Sequence, residues 1–275
     1  MRYVEPPPIA ALATLRQIQD SLPRNLQAAI DTIRARVQRA YAQYDIAAPD
    51  ALHLLHRAAI SKAARDALHS IFKKRLGEFR NLLDDLTVHF EGTGNSTCPY
   101  CNFGEQWEHD HYLPKSIFPE YTLYPKNLVP ICKVCNGKKQ ARYELNGSRL
   151  FLHLFSELDG AQSLLRVSVQ YSPRIRVLYS INNPGLPTDQ FAVLERHFQK
   201  LGLANRYARQ ASATISRLIK QFRTAESLSL GRRKLRLRLR RMAADSAVLC
   251  PANHWEVTLL EQLASSPDFT NYVFA

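Results

Sequence analysis

The sequence is poor in cysteine, with five in 275 residues. Four stand in two Cys-x-x-Cys pairs, Cys98/Cys101 and Cys132/Cys135, while Cys250 stands apart. An odd count in this arrangement argues against a disulfide framework and for a zinc site, and it points to a reducing, cytoplasmic setting. Long apolar runs are also missing. No stretch approaches the ~18 apolar residues of a membrane span, so no membrane partner is expected. The opening MRYVEPPPIAALATL lacks the apolar centre of a secretion signal. Acidic residues are outnumbered, 24 Asp and Glu against 37 Lys and Arg, for a net charge of +13. A surface this basic favours polyanions, nucleic acid first among them. No internal repeat or low-complexity block is present. The 45% hydrophobic content is ordinary for a globular chain and can supply a packed core.

The apolar spacing predicts a mainly α protein with a small α+β core. Pro6-Pro7-Pro8 suits an extended arm, because proline cannot start a strand or continue a helix. Helical patterns follow over Ile9–Ser21, Asn25–Ile46 and Ala51–Phe90, with Asp50 a candidate N-cap and Gly77 a bend or break. His53, His56 and His69 read as surface or packing histidines. The basic face of the third segment reads as solvated, or as a groove for phosphates. Gly92–Ser96 is a flexible link. Leu150–Leu158 fits either strand or helix. Leu165–Tyr171 and Ile175–Ile181 are rich in Val, Ile and Tyr and predict a hairpin turning at Ser172-Pro173. Helices are predicted from Thr188 to a stop at Gly202, from Asn205 to Ser227, and over Trp255–Leu263. The run GRRKLRLRLRRM, Gly231–Met242, alternates like a strand but sits in helical surroundings, and a helix is favoured. Three regions result: an N-terminal helical region (1–92), a cysteine-bracketed module (93–160) and a C-terminal region of hairpin and basic helices (161–275).

The chemistry concentrates between the cysteine pairs. Two Cys-x-x-Cys knuckles supply four thiolates, the ligand set of a structural zinc that ties together the ends of a short segment. Between them lie Asp110-His111 and Asn127, and Asn136 follows the last cysteine. A neutral imidazole is a natural base near pH 7. A carboxylate and a side-chain amide are hard oxygen ligands that suit Mg²⁺ or Mn²⁺. Hydrolysis of a phosphodiester needs both kinds of group. On this reading His111 is the base, Asp110 and Asn136 hold the divalent ion, and Asn127 holds the catalytic loop, orienting the His111 ring. Lys115, Lys138 and Lys139 are placed to meet phosphate oxygens. Arg232, Arg233 and Lys234 open the Arg-rich segment, the best candidate for contact with a nucleic-acid backbone. Cys250 reads as a small apolar residue, and His153 as packing beneath the module's helix.

The succession CPYC, DHYLP, NLVPICKVCN and GKK resembles the HNH endonucleases over about 45 residues. The LFLHLFSELDG segment more weakly resembles bacterial members tied to phage defence. The resemblance implies a ββα-metal core with strands near Trp107–His111 and Leu128–Ile131 and a helix starting near Asn136. It implies His111 as general base, Asp110 and Asn136 on a divalent ion, and Asn127 as the middle Asn. It departs from the commonest pattern in having Asn136 where histidine is frequent, and His109 before Asp110. The expected activity is hydrolysis of DNA under the control of a protein partner such as an ATPase or sensor. Two alternatives stand beside it: an RNA-cleaving effector, and a non-catalytic zinc-ribbon module that binds nucleic acid.

Overall fold

A computed structural model of the chain describes residues 3–92, 96–105, 108–155, 157, 163–250 and 253–275. It divides into two compact units, Tyr3–Leu158 and Asp159–Ala275. Both are dominated by helices, and the strands pair only as small antiparallel ribbons. The architecture is mainly α with a small α+β core, as the sequence predicts.

The first unit opens with five helices: α1 (Ala11–Asp20), α2 (Arg24–Asp31), α3 (Arg34–Ala47), α4 (Lys62–Lys74) and α5 (Glu78–Gly92). The segment expected as one helix over Asn25–Ile46 is two, interrupted where Ile33 leaves helical geometry at φ −120°, ψ −4°. The long segment after Pro49 is likewise divided. It begins with one short 3₁₀ turn, Leu52–Leu54, and α4 starts only where Ser61 Oγ accepts from Ala64 N. Arg75 and Gly77, at φ +51° and +52°, then end α4 in the left-handed region. A Cβ on Gly77 would lie 2.1 Å from Ser21 Oγ, the oxygen that accepts from Glu78 N at the start of α5. Asp50 caps no helix; its Oδ1 takes a hydrogen bond from Arg149 at 3.1 Å. The buried stripes Val37, Ala40, Tyr41 and Tyr44 on α3, and Phe79, Leu82, Leu83, Leu86 and Phe90 on α5, recur at three and four residues and face the core.

After α5 come β1 (Glu108–His111), β2 (Leu128–Ile131) and α6 (Lys133–Lys139). The two strands are antiparallel, with Asp110 opposite Val129 and His111 opposite Leu128. β2 has the predicted bounds, and β1 the predicted end; Trp107 and most of the Gly92–Ser96 link lie outside the described residues. The helix starts three residues earlier than expected, because Cys132 itself is the cap: its Sγ accepts from Cys135 N. A ribbon of β3 (Glu144–Leu145) and β4 (Ser148–Arg149) follows. Leu150–Phe155 is neither strand nor helix, yet all six residues are buried.

The second unit holds the predicted hairpin, β5 (Leu165–Gln170) and β6 (Arg176–Ile181), whose Leu165, Val167, Val177 and Tyr179 are buried. It packs on α8 (Leu203–Phe222) and α11 (Trp255–Ser265). Helix α7 (Thr188–Lys200) ends before Gly202, as predicted. The segment expected to run from Asn205 to Ser227 is α8 followed by a short α9 (Ala225–Ser229), with Thr224 Oγ1 accepting from Ser227 N at the break. The Arg-rich run is α10 (Gly231–Leu249), and Leu235, Leu239 and Ala243 form its buried stripe. That four-residue spacing is helical, which settles the period conflict in the sequence. A last helix, α12 (Pro267–Phe274), was not anticipated; Ser266 and Pro267 supply its cap and first residue.

Candidate active site

The two cysteine pairs converge. All four sulfurs lie within 4.8 Å of one another, and all four residues are buried. Cys101 Sγ and Cys132 Sγ are 3.8 Å apart. Sulfurs about 2.3 Å from one tetrahedral ion stand about 3.8 Å apart, so the donor set fits zinc. The first knuckle is shaped by its backbone: Cys98 N donates to Gly104 O at 2.6 Å, and Asn102 N to Cys98 O at 2.7 Å. A Cβ at Gly104 would fall 2.8 Å from Cys132 Sγ, so this position has no room for a side chain. Contacts among the sulfurs pull the Cys132 thiol far down and push Cys135 up. Four thiols this close cannot all ionise without a cation among them.

Strand alternation then sorts the site. Residues 108 and 110 of β1 face α6, where Glu108 accepts a hydrogen bond from Asn136 Nδ2 and Asp110 Oδ2 pairs with Lys139 Nζ at 2.8 Å. An i, i+2 pair on a strand thus meets an i, i+3 pair on a helix. The opposite face carries His109 and His111. His109 Nε2 lies 3.0 Å from Leu83 O and 3.2 Å from Thr87 Oγ1, both on α5, so His109 joins strand to helix. His111 packs its ring against Phe72 of α4, with centroids 4.5 Å apart.

His111 Nε2 lies 3.0 Å from Thr122 O. A carbonyl only accepts, so Nε2 carries the hydrogen and the lone pair is on Nδ1. Burial, then the charges of Lys115 and Lys139, lower the His111 pKa to about 3, which keeps the ring neutral near pH 7. Asp110 is pushed up by burial, against the pull of Lys139. Lys139 is completely buried and also donates to His111 O at 2.8 Å, stapling the end of β1. The sequence grouped it with Lys138 as a phosphate contact; the structure instead turns it onto Asp110. Lys138 is half-buried, and so is Lys115, whose Nζ stands 4.5 Å from the Phe72 ring centre. Arg232, Arg233 and Lys234 are exposed on α10 in the other unit.

Asn127 is completely buried. Its Oδ1 accepts from Leu113 N at 2.7 Å, and its Nδ2 donates to Leu113 O at 3.0 Å and Tyr121 O at 3.2 Å. It therefore clamps the chain just beyond His111, and it makes no hydrogen bond to the ring, whose partner is Thr122 O. Behind Asn127 stands Tyr44, whose hydroxyl lies 3.4 Å from Asn127 Oδ1, 3.2 Å from Lys126 O and 3.2 Å from His153 Nε2. One hydroxyl proton serves the two acceptors, so His153 is the donor, through Nε2–H. The network continues from His153 N to Glu157, then from Glu157 to Arg149 at 2.8 Å, and on to Asp50.

Burial lowers the His153 pKa to about 3, with Arg149 and Lys126 adding to it. The unfolded chain, with an ordinary value near 6.5, takes up this proton first as pH falls, so the contribution present at neutral pH is lost below about 6.5. Replacing His153 with Gln keeps an N–H donor for Tyr44 and removes the titration. The variant is expected to gain about 2–3 kcal/mol on the wild type between pH 7 and pH 4.5, read from urea unfolding at both pH values.

Glu108, Gly104, Tyr44, Phe72 and Thr122 were not singled out from sequence. Glu108 had a usable signal, since it precedes Asp110 by two and shares its strand face. Tyr44 and Phe72 come from distant helices and had none.

The donors on the face of β1 that meets α6 are of the kind that suits a divalent ion. Asp110, Glu108 and the Asn136 amide gather hard oxygen donors there, and Lys139 engages only one Asp110 oxygen.

Residues 98–142 match the model of the HNH endonuclease family. A 149-residue stretch is 30% identical to protein ea31 of Escherichia phage lambda, covering 52% of this chain and 48% of ea31. Another, of 50 residues, is 40% identical to the Septu protein PtuB of Bacillus thuringiensis, covering 16% of this chain and 20% of PtuB. The chain thus spans less than half the length of these relatives. No solved structure matches. Among the described residues, no helix is long and apolar enough to cross a membrane. The family match places an HNH endonuclease domain at residues 98–142, with the four-cysteine cluster, consistent with a zinc site, inside it.

Proposed function

We propose that the protein is a metal-dependent endonuclease that hydrolyses phosphodiester bonds in DNA. The observation that carries this reading is the neutral His111 ring, fixed by Thr122 O so that Nδ1 is the basic nitrogen. In this reading Nδ1 takes the proton of the attacking water. Asp110 and Asn136 hold a Mg²⁺ or Mn²⁺ ion, with Glu108 orienting the Asn136 amide. When bound, the ion supplies Lewis-acid stabilisation of the scissile phosphate and the leaving oxygen. Asn127 and Lys139 act as positioning residues, Asn127 on the loop after His111 and Lys139 on the strand end. Lys115 and Lys138 meet phosphate oxygens near the reacting bond. The exposed basic face of α10, with Arg232, Arg233 and Lys234, contacts the backbone elsewhere on the substrate. The regions 1–92 and 161–275, on the two sides of the catalytic module 93–160 in the sequence, are read as binding the substrate or a protein partner.

The likeness to the Septu protein PtuB supports a place in phage defence and, with it, control by a protein partner such as an ATPase or sensor. A reducing cytoplasm is the setting that suits four clustered thiols. The test incubates purified protein with supercoiled plasmid and with total RNA, each with Mg²⁺, with Mn²⁺ and with EDTA. Metal-dependent nicking or linearisation of plasmid is expected; cleavage of RNA alone would move the reading to an RNA-cleaving effector, and tight binding without cleavage to a binding module.

A further inference from the structure

Beside His111 the first unit has a small cavity of about 140 Å³. Arg65, Asp66 and His69 on α4 line it, together with Lys115, Ser116, Pro119 and Thr122 from the segment between β1 and β2. Thr122, which lines the cavity, is also the residue whose carbonyl oxygen fixes the His111 ring, so one residue links the cavity to the imidazole. Arg65 and His69 are four residues apart and exposed, and Phe72, three further on, is the ring against His111. That spacing aligns all three side chains on one face of α4. Lys115, which lines the cavity, places its Nζ 4.5 Å from the centre of the Phe72 ring that packs on His111. At about 30 Å³ per water, the volume holds a few waters or one phosphate group, and is small for a base and sugar together. Its donors are a guanidinium, an ammonium, an imidazole and a hydroxyl, all suited to phosphate oxygens. Asp66 is the one carboxylate present, and Lys62 pairs with it at 3.0 Å.

We infer that this cavity is a phosphate subsite, formed by Arg65, His69, Lys115 and Ser116, that takes a phosphodiester group of the nucleic-acid strand next to the bond being cut. The inference rests on the nuclease reading and adds to it a role for α4, which lies outside the family-matched residues 98–142. Helix α4 carries both the Phe72 ring that packs on His111 and the Arg65 and His69 side chains that receive the strand. The strand is thereby registered against the imidazole by a group on each side of it, Arg65 and His69 from the helix, Lys115 and Ser116 from the loop.

The test measures binding, so it does not depend on turnover. In the 275-residue chain carrying His111→Ala, fluorescent DNA and RNA duplexes of about 30 base pairs are titrated at several salt concentrations. Arg65→Ala and His69→Ala are compared with Arg80→Ala, which removes an exposed cation of α5 outside the cavity. Arg65→Ala is expected to weaken binding about five- to tenfold and to reduce the slope of log K against log salt by about one, with Arg80→Ala near the parent value. Loss in either the DNA or the RNA arm supports the subsite. Equal effects of Arg65→Ala and Arg80→Ala, or no duplex binding by the parent, overturn it. Plasmid cleavage by the protein with native His111, run alongside, separates the outcomes. Cleavage with equal binding effects removes the subsite alone, and absence of cleavage with the expected binding loss removes the nuclease reading alone.

Discussion

Replacing His111 with Ala is expected to slow plasmid cleavage about 10²–10⁴-fold, the range for loss of a general base, while DNA binding and zinc content hold. The reason is geometric. Thr122 O fixes Nε2 as the protonated nitrogen, so Nδ1 is the nitrogen left to take a proton. His111→Gln is the stricter variant, because its amide N–H can still donate to Thr122 O and fill part of the space beside Phe72. The same loss in Gln and Ala, at unchanged melting temperature, assigns the effect to proton transfer rather than to packing. Single-turnover rates at saturating DNA are the measurement. A rate within threefold of wild type for either variant would remove His111 from the reaction.

The second large effect is expected at the zinc cluster. Cys101→Ser, and Gly104→Ala beside it, should reduce bound zinc from one per chain to below about a tenth, with cleavage lost. The four sulfurs join the loop before β1 to the cap of α6, and Cys132 serves both as ligand and as N-cap. Without the metal, α6 loses its start, and with it Asn136 and Lys139 lose their register against Glu108 and Asp110. Structural zinc in small domains contributes on the order of 10 kcal/mol of apparent binding free energy. Helices α1–α5 have apolar faces of their own, so the damage should concentrate around β1, β2 and α6. Hydrogen exchange of those segments, with metal content measured on the same sample, reads this directly. Cys250→Ser serves as the control and should leave zinc content unchanged, since Cys250 is no part of the cluster. Gly104→Ala with full zinc would show that the backbone near Cys132 yields to a Cβ at 2.8 Å.

Much of the site is legible in the sequence because its parts are local. Two knuckles, a strand ending in Asp-His, and a helix capped by a cysteine lie within 45 residues, and ligand chemistry restricts what such a set can do. The hairpin at 165–181 was legible for the same reason: short-range alternation around a proline turn. The misses come from contacts that cross the chain. Lys139 read as a surface cation beside Lys138, but helical spacing turns it under α6 onto Asp110. Asp50 had the sequence of a helix cap, yet Arg149, ninety-nine residues on, claims its carboxylate. Tyr44 looked like one more apolar position on an amphipathic helix. It is the hydroxyl that links His153 to the clamp on the catalytic loop. The break at Ile33 had no glycine or proline to announce it.

The central claim is that Asp110 serves a divalent ion in a reaction whose base is the neutral His111. Its most direct test is a Mn²⁺ titration of single-turnover cleavage, on zinc-loaded protein cleared of other divalent ions, for wild type and Asp110→Ala. The expected result is no cleavage without Mn²⁺, saturation in wild type, and in the variant a half-saturating Mn²⁺ concentration raised at least about tenfold with a lower plateau. Cleavage that persists in EDTA, or an Asp110→Ala titration that overlays wild type, would contradict it.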